Sequence, residues 1–507
     1  MRIFKPNIAK LEQARDVDGL VRALEDPEAP IRSAAIKALG KSGDRRAAGP
    51  LRAVVRGKDP DAAQAAADAL GQIGDPGAVE VLCEALRGGP PPLSRAAAAA
   101  LGRIGNPRAV EPLLAGLAEL AHRLRPREGP GEDRLPPCPP SEFFSGLSLL
   151  EAIAEALGRI RDVGAVDALC GLLRLPYADV VRASATALGE IGCSRSAEPI
   201  CNILLRDEAV GRKAAADALV RIGAPARLPL CRLLQEGDRN SRRAAVDTLR
   251  QIGPPEPPDL LAWFAVAAGD WPLAVSLGAD ALAPLATALR DDDPEIRRAA
   301  AGALGETGLE GAVQVLCAAL RDLMPAVARA AGASLKRLGA PAVEPLCGML
   351  EDDSRLARET AARTLGEIGN AAAVAPLSLL VWDHEASVRA AAVRALGQIG
   401  DPRGVDPILA ALQNREVEVC RAAAEALGQL GDTRAVDPLL AMLRSRMDDF
   451  LAVEPVIRSL CGFHETRILG PLVEALKKHS DSEEICSAVV DAFVALKDNN
   501  VCRVLVD

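Results

Sequence analysis

Apolar residues recur along this chain with two superposed periods. The short period places them every three or four positions, as in Val388, Ala392, Leu396 and Ile399, which is the spacing of one face of an α-helix. The long period is marked by a leucine that returns after 30 or 31 residues, apart from two longer steps of 56 and 55 residues. Glycine follows this leucine in Leu39-Gly40, Leu70-Gly71, Leu101-Gly102, Leu157-Gly158, Leu188-Gly189, Leu365-Gly366, Leu396-Gly397 and Leu427-Gly428, and the same slot holds Leu219, Leu249, Leu304 and Leu335. A period of this length predicts stacked helical repeats in place of a globular domain.

One repeat, residues 383–412, shows how each helix pair is specified. A first apolar helix (helix B) contains the marker leucine and is expected to end at Gly400 in a left-handed conformation. Asp401-Pro402 then supplies a capping side chain and a proline at the start of the next helix (helix A). Glycine inside a helix costs about 1 kcal/mol relative to alanine, so the recurring Gly397 position predicts that a neighbouring helix approaches its backbone closely.

The string VRAAAVRALGQIGDPRGVDPILAAL, from Val388 to Leu412, resembles the HEAT-repeat superfamily, and in particular the short phycobilisome-lyase HEAT-like repeats. The resemblance extends from Asp16 to about Leu496. It implies an all-α fold, a right-handed α-α superhelix of about fourteen repeats, with the A helices on the convex face and the B helices on the concave face.

The two long steps predict insertions, and with them six segments along the chain. Residues 121–147 include a Pro- and Gly-rich stretch that cannot form a regular helix throughout. Residues 254–280 contain two apolar stretches, 258–268 and 271–277, that predict a helical hairpin. The predicted segments are 1–120 (repeats with an N-terminal cap), 121–147 (insertion), 148–253 (repeats), 254–280 (insertion), 281–445 (repeats) and 446–507 (irregular repeats and a C-terminal cap).

Aromatic residues are concentrated in the two predicted insertions. The whole chain has seven Phe, three Trp and one Tyr, and aromatic side chains are frequent anchors of protein interfaces. Two interpretations are open, since these rings either pack the insertions onto the repeats or contact a partner protein. The candidate partner-binding residues are Phe143, Phe144, Trp263, Phe264 and Trp271.

Arginine occupies one register seven residues before the marker leucine. Aspartates recur just before helix B, so the spacing predicts a structural ladder of ion pairs between neighbouring repeats. A phosphate-binding column is the functional alternative. A second column, two residues after the marker, mixes acidic and basic residues, which favours a protein partner or a solvated face over a nucleic-acid groove. The ladder arginines are Arg32, Arg212, Arg242, Arg297, Arg358 and Arg389.

Cysteine and histidine give no pattern typical of a cofactor or metal site. Six of the twelve cysteines share one helix A register, which predicts small apolar packing and free thiols: Cys83, Cys170, Cys201, Cys231, Cys317 and Cys347. Cys138 is the cysteine expected to be most exposed. His384-Glu385 and His464-Glu465 are two His-Glu pairs. They resemble the His-Glu pairs of the HEAT-like enzyme deoxyhypusine hydroxylase, but the di-iron site of that enzyme uses four such pairs. We expect no cofactor, no metal and no catalytic residues.

Charge and hydropathy narrow the function further. The net charge of -9 disfavours nucleic acid as a partner, no apolar run is long enough to span a membrane, and the polar N-terminus lacks a signal-peptide core. The expectation is a cytoplasmic, non-enzymatic scaffold or adaptor that binds protein partners. Two alternatives stay open: an enzyme or chaperone subunit like the bilin lyases, which the resemblance suggests, and a nucleic-acid-binding solenoid.

Overall fold

The computed structural model describes residues 7–125, 139–206, 209–447, 449–463 and 465–496. All regular secondary structure in these ranges is helical. The chain divides into two compact units, Met1–Ala268 and Gly269–Asp507.

In the N-terminal unit, long helices of the B type alternate with shorter helices of the A type. The helices are α1 (Ile8–Gln13), α2 (Val17–Arg22), α3 (Ala29–Ser42), α4 (Ala48–Val55), α5 (Pro60–Ile73), α6 (Val79–Gly88), α7 (Pro91–Ile104), α8 (Val110–Arg123), α9 (Pro140–Ile160), α10 (Val166–Leu172), α11 (Ala178–Ile191), α12 (Ala197–Cys201), α13 (Ala209–Ile222), α14 (Arg227–Glu236), α15 (Arg239–Ile252) and α16 (Pro258–Ala268).

The C-terminal unit repeats the same alternation. Its helices are α17 (Trp271–Ser276), α18 (Leu282–Ala288), α19 (Pro294–Thr307), α20 (Ala312–Ala319), α21 (Pro325–Leu338), α22 (Val343–Gly348), α23 (Arg355–Ile368), α24 (Val374–Leu380), α25 (Ala386–Ile399), α26 (Val405–Ala411), α27 (Val417–Leu430), α28 (Val436–Ser445), α29 (Phe450–Cys461), α30 (Leu469–Lys478) and α31 (Glu483–Leu496).

The marker leucine and the glycine after it form the seam between successive B helices. Leu70, Leu101 and Leu396 have no exposed surface. A Cβ atom added to Gly71 would lie 2.7 Å from the Cα of Ala100, and one added to Gly397 would lie 2.6 Å from the Cβ of Ala426. Any larger residue would therefore push the helices apart, and the close approach that the recurring glycine predicted is confirmed.

The helix ends also follow the predicted pattern. Gly400 ends α25 with φ +76°, which is the left-handed conformation that glycine adopts without steric cost. The Asp401 side chain then accepts a hydrogen bond from the backbone N–H of Arg403 and caps a short 3-10 turn, Pro402–Gly404, that leads into α26. The stack is thus an all-α solenoid built from one local sequence pattern.

Helices extend into both predicted insertions. The predicted stretch 258–268 forms α16. The predicted stretch 271–277 forms α17 up to Ser276. In the first insertion, α8 continues to Arg123 and α9 already begins at Pro140, so Phe143 and Phe144 lie on a helix of 21 residues. Part of residues 121–147 is therefore helical, and Cys138 lies outside the described residues.

Every helix in the described ranges is too short or too polar to cross a membrane.

Candidate functional site

The five aromatic candidates differ widely in exposure. Phe264 is only 9% exposed and belongs to the apolar core, so its ring packs within the fold and cannot serve as an open contact. Trp263 and Phe143 are half-buried and pack against the same core. Trp271 is half-buried, and Phe144 is 67% exposed.

Phe143 has an identifiable packing role on α9. Its ring meets those of Phe144 and Tyr177 edge to face, with both centroid distances 5.5 Å, a geometry that aromatic pairs favour. The Tyr177 hydroxyl donates to the carbonyl of Leu124, 2.7 Å away. The cluster thus fastens the start of α9 to the end of α8, and Phe144 is the one member with most of its surface open.

The most exposed aromatic side chain among the described residues was not singled out by the sequence. Trp382 follows α24 and is 71% exposed, and Leu379, one helical turn earlier, is 76% exposed. Trp382 borders a surface cleft of about 750 Å³ in the C-terminal unit. This cleft is called the Trp382 cleft below. Its apolar lining residues are Trp382, Leu409, Ala410 and Pro438, and its polar lining residues are Arg389, Gln413, Asn414, Arg415 and Glu416.

Three arginines of the predicted ladder form ion pairs with the following repeat. Arg297 grips Asp322 with two nitrogens, at 2.7 and 3.0 Å, and Arg358 grips Asp383 in the same way at 2.8 and 3.1 Å. In both cases Nη1 also donates to two carbonyls at the start of the arginine's own helix. In the N-terminal unit, Arg32 makes a single 2.7 Å contact with Asp59.

The carboxylates of these rungs are held ionised. Burial is the largest single influence on Asp322 and Asp383 and raises the pKa of each. The hydrogen bonds from Arg297 and Arg358, those from backbone N–H groups and the guanidinium charges together outweigh it, so both pKa values lie below their usual range. Asp322 and Asp383 each stand thirteen residues before the marker leucine, whereas Asp293 and Asp353, which also precede helix B, stand eleven and twelve residues before it. The backbone turn fixes the ladder carboxylate, since Asp322 Oδ1 also accepts from the N–H of Met324.

The remaining ladder arginines are placed differently. Arg212 and Arg242 are half-buried near the starts of α13 and α15. Hydrogen bonds from Ser241 lower the pKa of Asp238, and the charge of Arg212 adds to that lowering. Arg389 caps the carbonyls of Asp383 and His384 at 2.7 and 3.0 Å, but residue 414, where the next carboxylate would stand, is asparagine.

Where the ladder arginine itself is missing, another arginine replaces it. Ala328 stands in the arginine register between Arg297 and Arg358. Arg321 fills the gap from the preceding turn and donates from Nε to Asp352 Oδ2 at 2.7 Å. The ladder thus keeps a charged partner for the carboxylate even where its arginine is lost.

A second arginine column was missed by the sequence reasoning. Its members lie in the 3-10 turns before A helices and reach an acidic residue of the preceding repeat: Arg46 to Asp18, Arg195 to Asp167, Arg434 to Asp406 and Arg467 to Asp437. The available signal was an acidic residue two positions before the arginine in three of these four turns, namely Asp44, Asp432 and Glu465. The mixed column after the marker leucine is also paired in part, since Arg337 contacts Glu306 at 3.3 Å.

The cysteines and histidines show packing and turn roles. Each cysteine in the described part of the chain is free of disulfide bonds, as the register predicted. Burial raises the pKa of Cys201 to about 12 and that of Cys231 to about 11, so these thiols stay protonated at neutral pH and act as apolar side chains. His384 lies in the turn before α25 with its Nε2 3.2 Å from Arg358, and His464 lies outside the described residues.

Comparisons with known proteins agree with this architecture. The family model for HEAT repeats matches residues 17–99, 50–125, 267–323, 313–386 and 377–453, which together span more than half of the chain. The model for the PBS lyase HEAT-like repeat matches residues 180–206. No curated protein matches the sequence.

Several solved structures are similar in fold alone. The complex of CpcE and CpcF of phycocyanin lyase from Nostoc sp. PCC7120 is 21% identical over 52% of this chain and 94% of that one, with a TM-score of 0.32. Kap95p, solved in a study of its binding to RanGDP, is 13% identical over 99% of this chain and 83% of that one, with a TM-score of 0.35. Human deoxyhypusine hydroxylase is 20% identical over 50% of this chain and 97% of that one, with a TM-score of 0.23. The HEAT model covers more than half of the chain, and this match shows that the chain belongs to the HEAT-repeat family.

Proposed function

We propose that this protein is a non-enzymatic scaffold that binds a partner protein, and that the Trp382 cleft with the adjoining Leu379 is its principal contact surface. The observation that carries the proposal is the exposure of Trp382 and Leu379, 71% and 76%, side by side at the end of one helix. Large apolar side chains left in water lose the stabilisation that burial gives, about 1.5–3 kcal/mol each. A partner that covers both would recover it.

The chemistry of the cleft supports a protein partner. Tryptophan and arginine are enriched among residues that dominate binding energy, especially in concave sites that exclude water. Here Trp382 lines the cleft together with Leu409, Pro438 and two arginines, Arg389 and Arg415. This combination matches a peptide segment that carries both apolar and polar side chains.

The charge distribution supports the same choice over nucleic acid. A nucleic-acid groove needs arginines and lysines whose charges are available to phosphates. Arg103 instead contacts Asp68 and Arg337 contacts Glu306 on the B-helix side. Arg434 and Arg467 are likewise paired on the A-helix side.

The proposal is tested by comparing captured proteins with and without the exposed pair. The intact chain and the variant Leu379→Ala/Trp382→Ala are used as bait in extracts of the source organism, and each captured protein is then purified and its affinity measured directly. We expect a partner whose affinity falls at least about a hundredfold in the variant, since two hot-spot side chains are removed. Phe144→Ala, which removes an equally exposed aromatic from the N-terminal unit, should bind normally.

The proposal would be contradicted if every captured protein bound the intact chain and the variant Leu379→Ala/Trp382→Ala with equal affinity. The two alternative functions give separate readouts. A coloured protein after co-expression with a bilin would favour the lyase-like role, and salt-sensitive binding of a labelled duplex would favour nucleic acid.

A further inference from the structure

At Arg389, which lines the Trp382 cleft, the residue in the carboxylate position of the ladder is an amide, Asn414. We propose that Arg389 and Asn414 form a receptor for a carboxylate side chain, aspartate or glutamate, of the partner protein, with an apolar residue next to it lying against Trp382. This inference rests on the proposed function and names the group that the cleft recognises.

The complete rungs define what the arginine at this position requires. In Arg297–Asp322 and Arg358–Asp383, the Nε and Nη2 edge of the guanidinium donates two hydrogen bonds to the two oxygens of one carboxylate. The fork geometry of arginine matches a carboxylate in this way, and such charge-assisted pairs are stronger than neutral ones. The opposite nitrogen, Nη1, is used for the carbonyls of the helix start.

Arg389 is held in the same orientation but has no acceptor for that edge. Its Nη1 donates to the carbonyls of Asp383 and His384, as in the complete rungs. Its Nε is buried and has no hydrogen-bond partner. Among the described residues, no carboxylate oxygen lies within 4.0 Å of a guanidinium nitrogen of Arg389, which is the distance limit of an ion pair.

Asn414 cannot satisfy the arginine in either orientation of its amide. Its Oδ1 accepts from the backbone N–H of Glu416 at 3.0 Å, which is the role that one carboxylate oxygen of Asp383 plays for Glu385. The remaining atom is an NH₂ group, which only donates. Reversing the amide would offer the oxygen to Arg389 but leave the NH₂ facing the N–H of Glu416.

Arg389 and Asn414 thus line the same cleft as Trp382, and Arg389 has a hydrogen-bond donor without an acceptor. A buried donor without a partner is costly, and an incoming carboxylate would relieve that cost with the geometry of the neighbouring rungs. Glu416 lines the same cleft, and its charge disfavours a doubly charged phosphate relative to a singly charged carboxylate.

The test uses a variant in which the protein supplies its own carboxylate. Asn414→Asp completes the rung and should occupy the Arg389 edge while leaving Trp382 in place. Asn370→Asp is the matched control, because Asn370 also caps a turn through its Oδ1, lies in the same unit, and gains the same charge away from the cleft. Trp382→Ala removes the apolar side of the surface.

The probe is a library of displayed random peptides, selected on the intact chain. We expect enriched peptides that pair an acidic residue with an aromatic or aliphatic one. A synthetic peptide of that sequence should lose affinity at least about tenfold when its acid is changed to the amide, and by a similar factor on Asn414→Asp. Asn370→Asp should bind it as the unaltered chain does.

The outcomes separate this inference from the function on which it rests. Peptides that bind through Trp382, but are insensitive to Asn414→Asp and to loss of their acid, would leave the proposed function standing and overturn the carboxylate receptor. Peptides insensitive to Trp382→Ala, or no enrichment at all, would contradict both. Displacement of the peptide by inorganic phosphate at constant ionic strength would assign the Arg389 edge to phosphate and also overturn the inference.

Discussion

Two neighbouring positions of the arginine ladder differ by one functional group and have different consequences. Arg358 and Arg389 stand one repeat apart, and each caps the carbonyls at the start of its own helix. The second edge of Arg358 binds Asp383, whereas the position that would supply the carboxylate for Arg389 holds Asn414. The same scaffold position therefore stabilises the stack in one repeat and leaves binding capacity at the surface in the next.

Burial explains why the first of these positions is structural. The side chains of Arg358 and Asp383 are only 6% and 7% exposed, so solvent cannot replace either partner. The ladder residue 389 is half-buried and borders the open Trp382 cleft. The proposed ligand would therefore approach the incomplete rung from this cleft, whereas the complete rung is closed within the repeats.

The largest expected effect comes from turning the complete rung into an incomplete one. Asp383→Asn leaves the buried guanidinium of Arg358 without its counter-charge, and we expect a loss of about 3 kcal/mol in the free energy of unfolding. Urea unfolding followed by circular dichroism measures it. Asp353→Asn, at an exposed turn position whose carbonyl alone contacts Arg358, is the control and should change stability by less than about 0.5 kcal/mol. Equal effects of the two variants would show that the rung is not stabilising.

Acid should weaken the complete rungs, whose carboxylates titrate, and not the incomplete rung, which has an amide in that position. The pKa values of Asp322 and Asp383 are lowered by folding, so their stabilisation is present above the unfolded pKa of about 3.9 and is lost as the pH falls through the folded value. The free energy of unfolding should therefore decrease between about pH 5 and pH 2. The decrease should be smaller in Asp383→Asn, because an amide does not titrate; an identical pH profile would contradict the assignment.

Completing the incomplete rung should stabilise the protein modestly. Asn414→Asp gives Arg389 the acceptor that it lacks, and we expect a gain of about 1 kcal/mol in the free energy of unfolding at neutral pH. The control Asn370→Asp should show no such gain. A loss of stability in Asn414→Asp would mean that the added carboxylate does not reach the guanidinium.

The exposed arginine column provides the smallest expected effect. Arg434→Gln removes the contacts of an exposed arginine with Asp406 and Asp432. Exposed ion pairs of this kind contribute little to stability. We expect no measurable change in the melting temperature. A clear decrease would show that this column stabilises the stack as the buried ladder does.

The fold could be predicted from the sequence because each repeat specifies its own local structure. Gly400 at the end of helix B and Asp401 at the next cap are set by neighbours within a few residues, and the structure confirms them. Gly397 recurs at a fixed position of helix B, so its close contact with the next B helix could also be predicted. Rungs such as Arg297–Asp322 join residues 25 positions apart, so their exact partners depend on how repeats stack.

The candidate site was harder to predict because exposure depends on packing between repeats. Phe264 and Trp382 are both aromatic residues near helices, yet one is 9% exposed and the other 71%. Insertion sequences drew attention to Phe264, whereas Trp382 lies in a regular repeat. The available signal was its register, since Trp382 occupies a turn position that Arg321, Glu351 and Gln413 hold in neighbouring repeats.

The most direct measurement of the central claim is a double-mutant cycle between the cleft and a selected peptide. Affinities of the unaltered chain and of Asn414→Asp are measured for the acidic peptide and for its amide counterpart. If a partner carboxylate occupies the Arg389 edge, the peptide acid should matter in the unaltered chain and not in the variant, with a coupling energy of about 1.5 kcal/mol or more. A coupling energy of zero, with binding otherwise intact, would contradict the account.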